Sequence, residues 1–267
     1  MKSIIGMNGK KDSDSPQMLS QTAAGQGFTH EWRDATCAYI FDYGGTLDTG
    51  GCHWGKVLWR AYVRHSAGVA ESAFRDAYVY AERELGKGGT IRPGYTFRMT
   101  LDAKLRLELE YLKANGHIGA DRDALERLHD VLLDDVYGVA VDGTSKSRKV
   151  LEEISKTCPM VLVSNFYGNI NTVLKEFGLA GLFKDVVESA AVGLRKPDPG
   201  IFTLGVEALG VSPRQVTVVG DSFDKDIVPA RQAGCHAVWI KGEGWTDKTY
   251  DETLPDAVIT DIRQLTE

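Results

Sequence analysis

Cysteine is scarce and scattered: Cys37, Cys52, Cys158 and Cys235 are the four in 267 residues, and no two form a CxxC pair. That spacing argues against a zinc site or a dithiol redox motif and fits a reducing compartment. Long apolar runs are missing as well, and none approaches the ~20 residues that cross a bilayer. Residues 1–17 carry only a short apolar patch and no small-residue cleavage pattern, so the expected location is cytoplasmic. There is no basic excess: 31 Lys+Arg stand against 37 Asp+Glu, a formal net charge of -6. Sequence-independent nucleic-acid binding, which needs a basic footprint, is therefore not expected. Two phosphate-binding signatures are also absent. No GxGxxG opens a helix after the first strand, and Gly86-Lys87-Gly88-Gly89 lacks the Walker spacing and a preceding strand, so it reads as a helix break.

What is present is an ordinary globular composition, 43% hydrophobic and 25% charged, in a chain long enough for one large domain or a domain with an insertion. Residues 1–35 are polar and without periodicity, and are expected to form a poorly ordered arm. The apolar run Cys37–Phe41 ends directly on Asp42 and a glycine turn, which predicts a buried strand. From residue 51 to 137 apolar positions recur at three- and four-residue spacing, most of these stretches ending near Gly, and an all-helical unit is predicted. After Gly138 short apolar strands alternate with helices. The strands are predicted at Pro159–Ser164, Asp185–Ser189, Gln215–Gly220, His236–Ile240 and Ala257–Thr260, and helices at 147–156, 169–178, 199–210 and 224–234. Continuous apolar strands separated by such helices imply an α/β fold, a parallel Rossmann-like sheet covered on both faces. Residues 36–50 and 138–267 would form its core.

Ligands of such sheets bind at the carboxyl ends of the strands. The polar residues expected there are Asp42, Ser164, Asn165, Asp221 and Asp226, with Lys196 in a loop ahead of a helix. Carboxylates suit Mg²⁺, which typically joins one or two of them to phosphate oxygens. A lysine, a hydroxyl and an amide suit a phosphoryl group.

These residues resemble the haloacid dehalogenase-like hydrolases. The matching motifs are Asp42-Tyr43-Gly44-Gly45-Thr46-Leu47, Val163-Ser164-Asn165, Gly193-Leu194-Arg195-Lys196-Pro197-Asp198-Pro199 and Gly220-Asp221-Ser222-Phe223-Asp224-Lys225-Asp226. They occur in order over about residues 37–260, and residues 51–137 resemble the helical cap inserted between the first two motifs in one subclass. The resemblance implies a Mg²⁺-dependent hydrolase of a small phosphorylated metabolite working through an aspartyl-phosphate. Asp42 would be the nucleophile, and Asp42, the Gly44 carbonyl and Asp221 would hold the metal, with Asp226 as ligand or outer acceptor. Ser164 and Lys196 would bind the phosphoryl group, assisted by Asn165, Gly45 and Thr46.

One position departs from the family pattern. Family phosphatases carry a second aspartate two residues after the nucleophile, as general acid and base, and here that residue is Gly44. Such help is typically worth ~10²–10⁴ in rate. Three responses follow. The substrate has a good leaving group, such as an acyl or aryl phosphate. Alternatively Asp48, His53 or His65 takes over, or the protein is a catalytically weak binder of phospho-ligands. Dehalogenase-like and phosphonatase-like chemistry remain further alternatives, the latter needing a Schiff-base lysine such as Lys56, Lys87 or Lys104. His53 and Trp54, where the chain enters the cap, are expected to face the cleft. The other cap aromatics are expected in its core, His129 in solvent, and Asp224 at a cap or in solvent.

Overall fold

The computed structural model of the chain describes residues 31–119 and 121–267. The predicted poorly ordered arm lies outside the described residues except for its last five. Those form helix α1 (Glu31–Ala35), with Trp32 buried and the Arg33 guanidinium donating to the Gln264 carbonyl. Docking there follows from residue type, because an indole gains more by burial than any other side chain in the segment.

The six predicted strands are all present: β1 (Ala38–Phe41), β2 (Met160–Ser164), β3 (Asp185–Glu188), β4 (Val216–Gly220), β5 (His236–Ile240) and β6 (Ala257–Ile259). They form one sheet in the order β3-β2-β1-β4-β5-β6, and every neighbouring pair is parallel. Alternation sends Tyr39 and Phe41 of β1 into one apolar cluster and Ala38 and Ile40 into the other. Both faces are therefore covered, as continuous apolar strands require. The two central strands β1 and β4 carry Asp42 and Asp221 just past their ends, on the same edge.

Between β1 and β2 lie α2 (Trp54–Arg64), α3 (Glu71–Gly86), α4 (Phe97–Ala114) and α5 (Arg122–Ile154). Two predictions change here. The helix expected to stop at Gly138 and the one expected at 147–156 are a single 33-residue helix. Glycine inside a helix costs ~1 kcal/mol against alanine, and tertiary packing overrides it here. At Gly143 the reason is steric, since a Cβ would lie 1.9 Å from the Asp48 carbonyl oxygen. Four residues on, the Ser147 hydroxyl donates to the Leu47 carbonyl at 2.8 Å, so α5 is fastened to the loop after β1. Secondly, His129 is buried rather than solvated, its ring nitrogens each 3.2 Å from a carboxylate oxygen of Asp102 or Asp130.

The remaining helices are α6 (Ile170–Glu176), α7 (Ser189–Val192), α8 (Gly200–Leu209) and α9 (Val228–Gln232), the last preceded by a π-helical turn at Phe223–Ile227. The loop between β5 and β6 folds back over α2. Trp245 packs where a side chain on Gly55 would sit, and the Arg75 guanidinium lies 4.0 Å above its ring.

Candidate active site

The edge of the sheet gathers the carboxylates that chain order keeps apart. Single oxygens of Asp42, Asp221 and Asp226 all lie within 4.8 Å of one another. Two glycines permit this crowding: a Cβ on Gly45 would fall 2.4 Å from an Asp221 carboxylate oxygen, and one on Gly220 would fall 2.4 Å from Asp226 Cβ. Lys196 is buried between two of the acids, with Nζ 2.5 Å from Asp42 Oδ1 and 2.6 Å from Asp226 Oδ1. Burial opposes its charge, yet Asp226 and Asp42 outweigh that cost and hold its pKa above the ordinary lysine value. Burial, with Asp226 and Asp42 nearby, pushes the Asp221 carboxyl well above the usual carboxylate range. Burial pushes Asp226 up to about 6, although Lys196 pulls it back.

One lysine among three clustered carboxylates leaves an excess of negative charge in a low-dielectric site. Oxygen donors so arranged suit a hard divalent cation, so the residues present fit Mg²⁺. Both Asp226 oxygens are already engaged, one by Lys196 and the other by the Ser222 N–H at 3.0 Å.

Each predicted site residue has a definite place. Asp42, Gly44, Gly45, Ser164, Asn165, Lys196, Asp221 and Asp226 line one cavity of about 190 Å³. Ser164 is buried at the end of β2, and its hydroxyl has no protein partner among the described residues. Asn165 clamps the lysine loop: its amide donates to the Lys196 carbonyl at 3.0 Å, and its oxygen accepts the Lys196 N–H at 2.9 Å. Thr46 is placed differently from the expected substrate contact. It is fully buried outside the cavity lining, and its hydroxyl lies 3.3 Å from Asp42 Oδ2 and 3.0 Å from Asp221 Oδ1 while accepting the Asp221 N–H. Thr46 thus spaces the carboxylates. The Gly45 N–H is also occupied, donating to Asp48 Oδ1 at 2.7 Å.

None of the three candidates to replace the missing acid is arranged for it. Asp48 lines the cavity, and burial raises its carboxyl to about 7. Both of its oxygens, however, accept fixed donors, Oδ1 the Gly45 N–H and Oδ2 the Trp54 indole N–H at 2.8 Å. His53 also lines the cavity, but its Nδ1 caps α2 by accepting the Gly55 N–H. Burial, with Lys104 and Lys225 nearby, lowers its pKa to about 4, so the ring is neutral at pH 7. His65 pairs with Asp135 and lies outside the cavity lining.

The helical side of the cavity holds a network that sequence reasoning missed in part. Lys104 is buried, ion-paired with Glu82 and 4.6 Å from the Tyr78 ring centroid, and the Tyr167 hydroxyl donates to Glu82 at 2.9 Å. Burial opposes the Lys104 charge, but Glu82 foremost outweighs it and holds the pKa well above the ordinary lysine value. A locked ammonium is unsuited to Schiff-base formation, which needs the free amine. Of the other two lysines, Lys56 lies 3.9 Å from Glu243 and Lys87 pairs with Glu84, and neither lines this cavity. A signal for the network existed in α4, where Lys104 and Glu108 fall on the same buried stripe as Leu101, Leu105 and Leu109. Charges at apolar positions of a helix require partners.

Residues 38–234 match the family model described as haloacid dehalogenase-like hydrolase. Among curated proteins, a phosphoserine phosphatase from Thermus thermophilus is 40% identical over 89 residues, 33% of this chain and 34% of that protein. A glyceraldehyde 3-phosphate phosphatase from Methanopyrus kandleri is 37% identical over 94 residues, 34% of this chain and 40% of that protein. The matched stretches therefore span well under half of those relatives. Among solved structures, a dehalogenase with an intermediate complex aligns with TM-score 0.59 at 16% identity, covering 86% of this chain and 96% of that one. YfnB from Bacillus subtilis aligns with TM-score 0.52 at 17% identity over the same shares. These two show the common fold. Among the described residues, no helix is long and apolar enough to cross a membrane.

Proposed function

This chain belongs to the haloacid dehalogenase-like hydrolase family, and we propose that within it the protein is a Mg²⁺-dependent phosphatase of a small metabolite with a good leaving group. The observation that carries the reading is the buried Asp42–Lys196–Asp226 bridge beside Asp221, facing a cavity of about 190 Å³. The phosphatase names of the partial relatives agree with it. Residues 51–137 are read as the cap over this cavity, and the location is read as cytoplasmic.

Asp42, the Gly44 carbonyl and Asp221 would hold Mg²⁺, with Asp226, both of whose oxygens are engaged, anchoring Lys196 beside them. When bound, the ion neutralises charge on the phosphoryl oxygens and the nucleophile. An Asp42 oxygen attacks phosphorus, and the bond to the leaving oxygen breaks with its electron pair going to that oxygen. Ser164 and the amide after it receive the phosphoryl oxygens, and Lys196 offsets charge between Asp42 and the transferred group. Water then displaces phosphate from Asp42 and restores the carboxylate. Asp48, His53 and Gly44 supply no ready proton, so the leaving group must depart unprotonated, as an acyl or aryl oxyanion does. Gly44 is also the one residue that favours a second reading, a binder of phospho-ligands that turns over weakly.

Acetyl phosphate with Mg²⁺ separates the two. Consumption by the wild type should exceed that by Asp42→Asn by ~10³-fold or more, the scale on which removal of a nucleophile acts. If neither acyl nor aryl phosphates are consumed in an Asp42-dependent way while phosphate still raises the melting temperature, the binding reading replaces the enzymatic one.

A further inference from the structure

The catalytic cavity opens into a wider groove, and Arg195 and Lys225 line both. Arg83 and Lys87 extend the same groove outward, and Glu82 is the one carboxylate among its lining residues. The charges are unevenly matched. Lys87 is paired with Glu84 at 2.6 Å, and Glu82 is committed to Lys104 and the Tyr167 hydroxyl. Arg83, Arg195 and Lys225 are exposed and make no ion pair among the described residues. They come from three separate places: α3, the loop ahead of α8, and the π-helical turn after β4.

Three uncompensated cations of one sign around one opening repel each other, and the chain as a whole carries a net charge of -6. Among the described residues no ion pair offsets Arg83 or Arg195, and Lys225 has only the neighbouring Asp224, itself paired with Lys248, so an anionic ligand is the complementary charge this opening would accept. It is not the transferred phosphoryl group, because Lys196 already serves that group from its buried position between Asp42 and Asp226. We propose that the substrate carries a second anionic group, a carboxylate or phosphate, on its leaving portion, and that Arg83, Arg195 and Lys225 bind it at the mouth. The proposal rests on the phosphoryl-site reading of Asp42 and Lys196. It narrows the substrate class from phosphomonoesters and acyl phosphates in general to those anionic at both ends.

The test uses non-hydrolysable ligands, so it does not depend on turnover. Binding of ω-carboxyalkyl phosphonates of increasing chain length is compared by calorimetry with that of the matching alkyl phosphonates, on the full chain with Mg²⁺. At one chain length the carboxylate should tighten binding about tenfold, as expected of a few exposed charge-assisted contacts acting together. ω-Phosphonoalkyl phosphonates, run alongside, show whether a carboxylate or a phosphate fits better. Arg83→Gln, Arg195→Gln and Lys225→Gln should each reduce that preference about two- to fivefold. Absence of a preference at every length, or a preference that survives all three substitutions, overturns the proposal. An equal weakening of both ligand series also overturns it, because the cations would then serve only to attract phosphates in general. Asp42-dependent consumption of acetyl phosphate by the same preparations reports separately on the phosphoryl site.

Discussion

Replacing Gly44 by aspartate would supply the proton-donating group that the proposed mechanism lacks. A Cβ at Gly44 meets nothing within 4 Å, and Gly44 is not among the glycines with positive φ, so the backbone accepts an aspartate without strain. The new carboxyl would stand near Asp42, Asp221 and Asp226, and like charges raise a carboxyl pKa toward neutrality, where a proton donor is most useful. General acid-base catalysis is worth ~10²–10⁴ in rate, or about 2.7–5.5 kcal/mol of barrier at 1.36 kcal/mol per decade. With an alkyl phosphate, departure of the unprotonated alkoxide should limit the wild type on the proposed mechanism, and Gly44→Asp should raise turnover by at least ~10²-fold. With acetyl phosphate the leaving group needs no proton, and on the proposed mechanism hydrolysis of the aspartyl-phosphate should become the slow step for want of a base. The wild type should then release acetate in a rapid stoichiometric burst ahead of a slower steady state, and Gly44→Asp should remove the burst by accelerating the second step. Rapid-quench measurement of acetate and steady-state measurement of phosphate check both statements. If Gly44→Asp folds and binds Mg²⁺ as the wild type does but gains nothing on alkyl phosphates, another residue already delivers the proton and the reasoning fails.

Two further predictions concern groups that hold the site in place. Asp48→Asn puts an amide N–H₂ against a donor, either the Gly45 N–H or the Trp54 indole, and should cost roughly 1–3 kcal/mol, read as a lower melting temperature. An unchanged melting temperature would show that Asp48 does not organise the loop after β1. Glu108 is fully buried; its Oε2 accepts from Tyr62 and its Oε1 has no partner, and burial raises its carboxyl to about 7. A folded-state pKa above the unfolded one means that its contribution is present at low pH and is lost as pH rises through about 7. Chemical denaturation of Glu108→Gln should therefore show its stability relative to wild type improving by up to about 3 kcal/mol between pH 4.5 and 8. A difference that stays constant with pH would refute the assignment.

The sheet was legible because parallel strands buried on both faces leave runs that loops and surface helices do not imitate. All six strands appeared within a residue or so of the predicted ends. The acids at the strand ends were legible for the same reason, since Asp42 and Asp221 each follow an apolar run directly. Thr46 misled because its place in the motif suggests a ligand contact, whereas the structure uses its hydroxyl to separate two carboxylates. Gly138 resembles a helix stop in sequence but does not end α5, because the helix is held by contacts at Gly143 and Ser147 whose partners lie some hundred positions earlier in the chain. Glu82 and Tyr167 carry no signal in the sequence because their role exists only where α3 and the loop after β2 meet Lys104. Ion-pair partners drawn from separate elements leave no local spacing to read.

The chain crosses between the helical layer and the sheet at two places of opposite mechanical character. The first passes through Gly50 and Gly51, both with positive φ, and the second is the unbroken rod of α5. A rocking motion of α2, α3 and α4 would find its pliable joint at the glycines, while the rod keeps its grip on Leu47 and Asp48 throughout. A rocking of that kind would leave the loop after β1 in place, because Gly143 and Ser147 of α5 hold Asp48 and Leu47 on the sheet side of the joint.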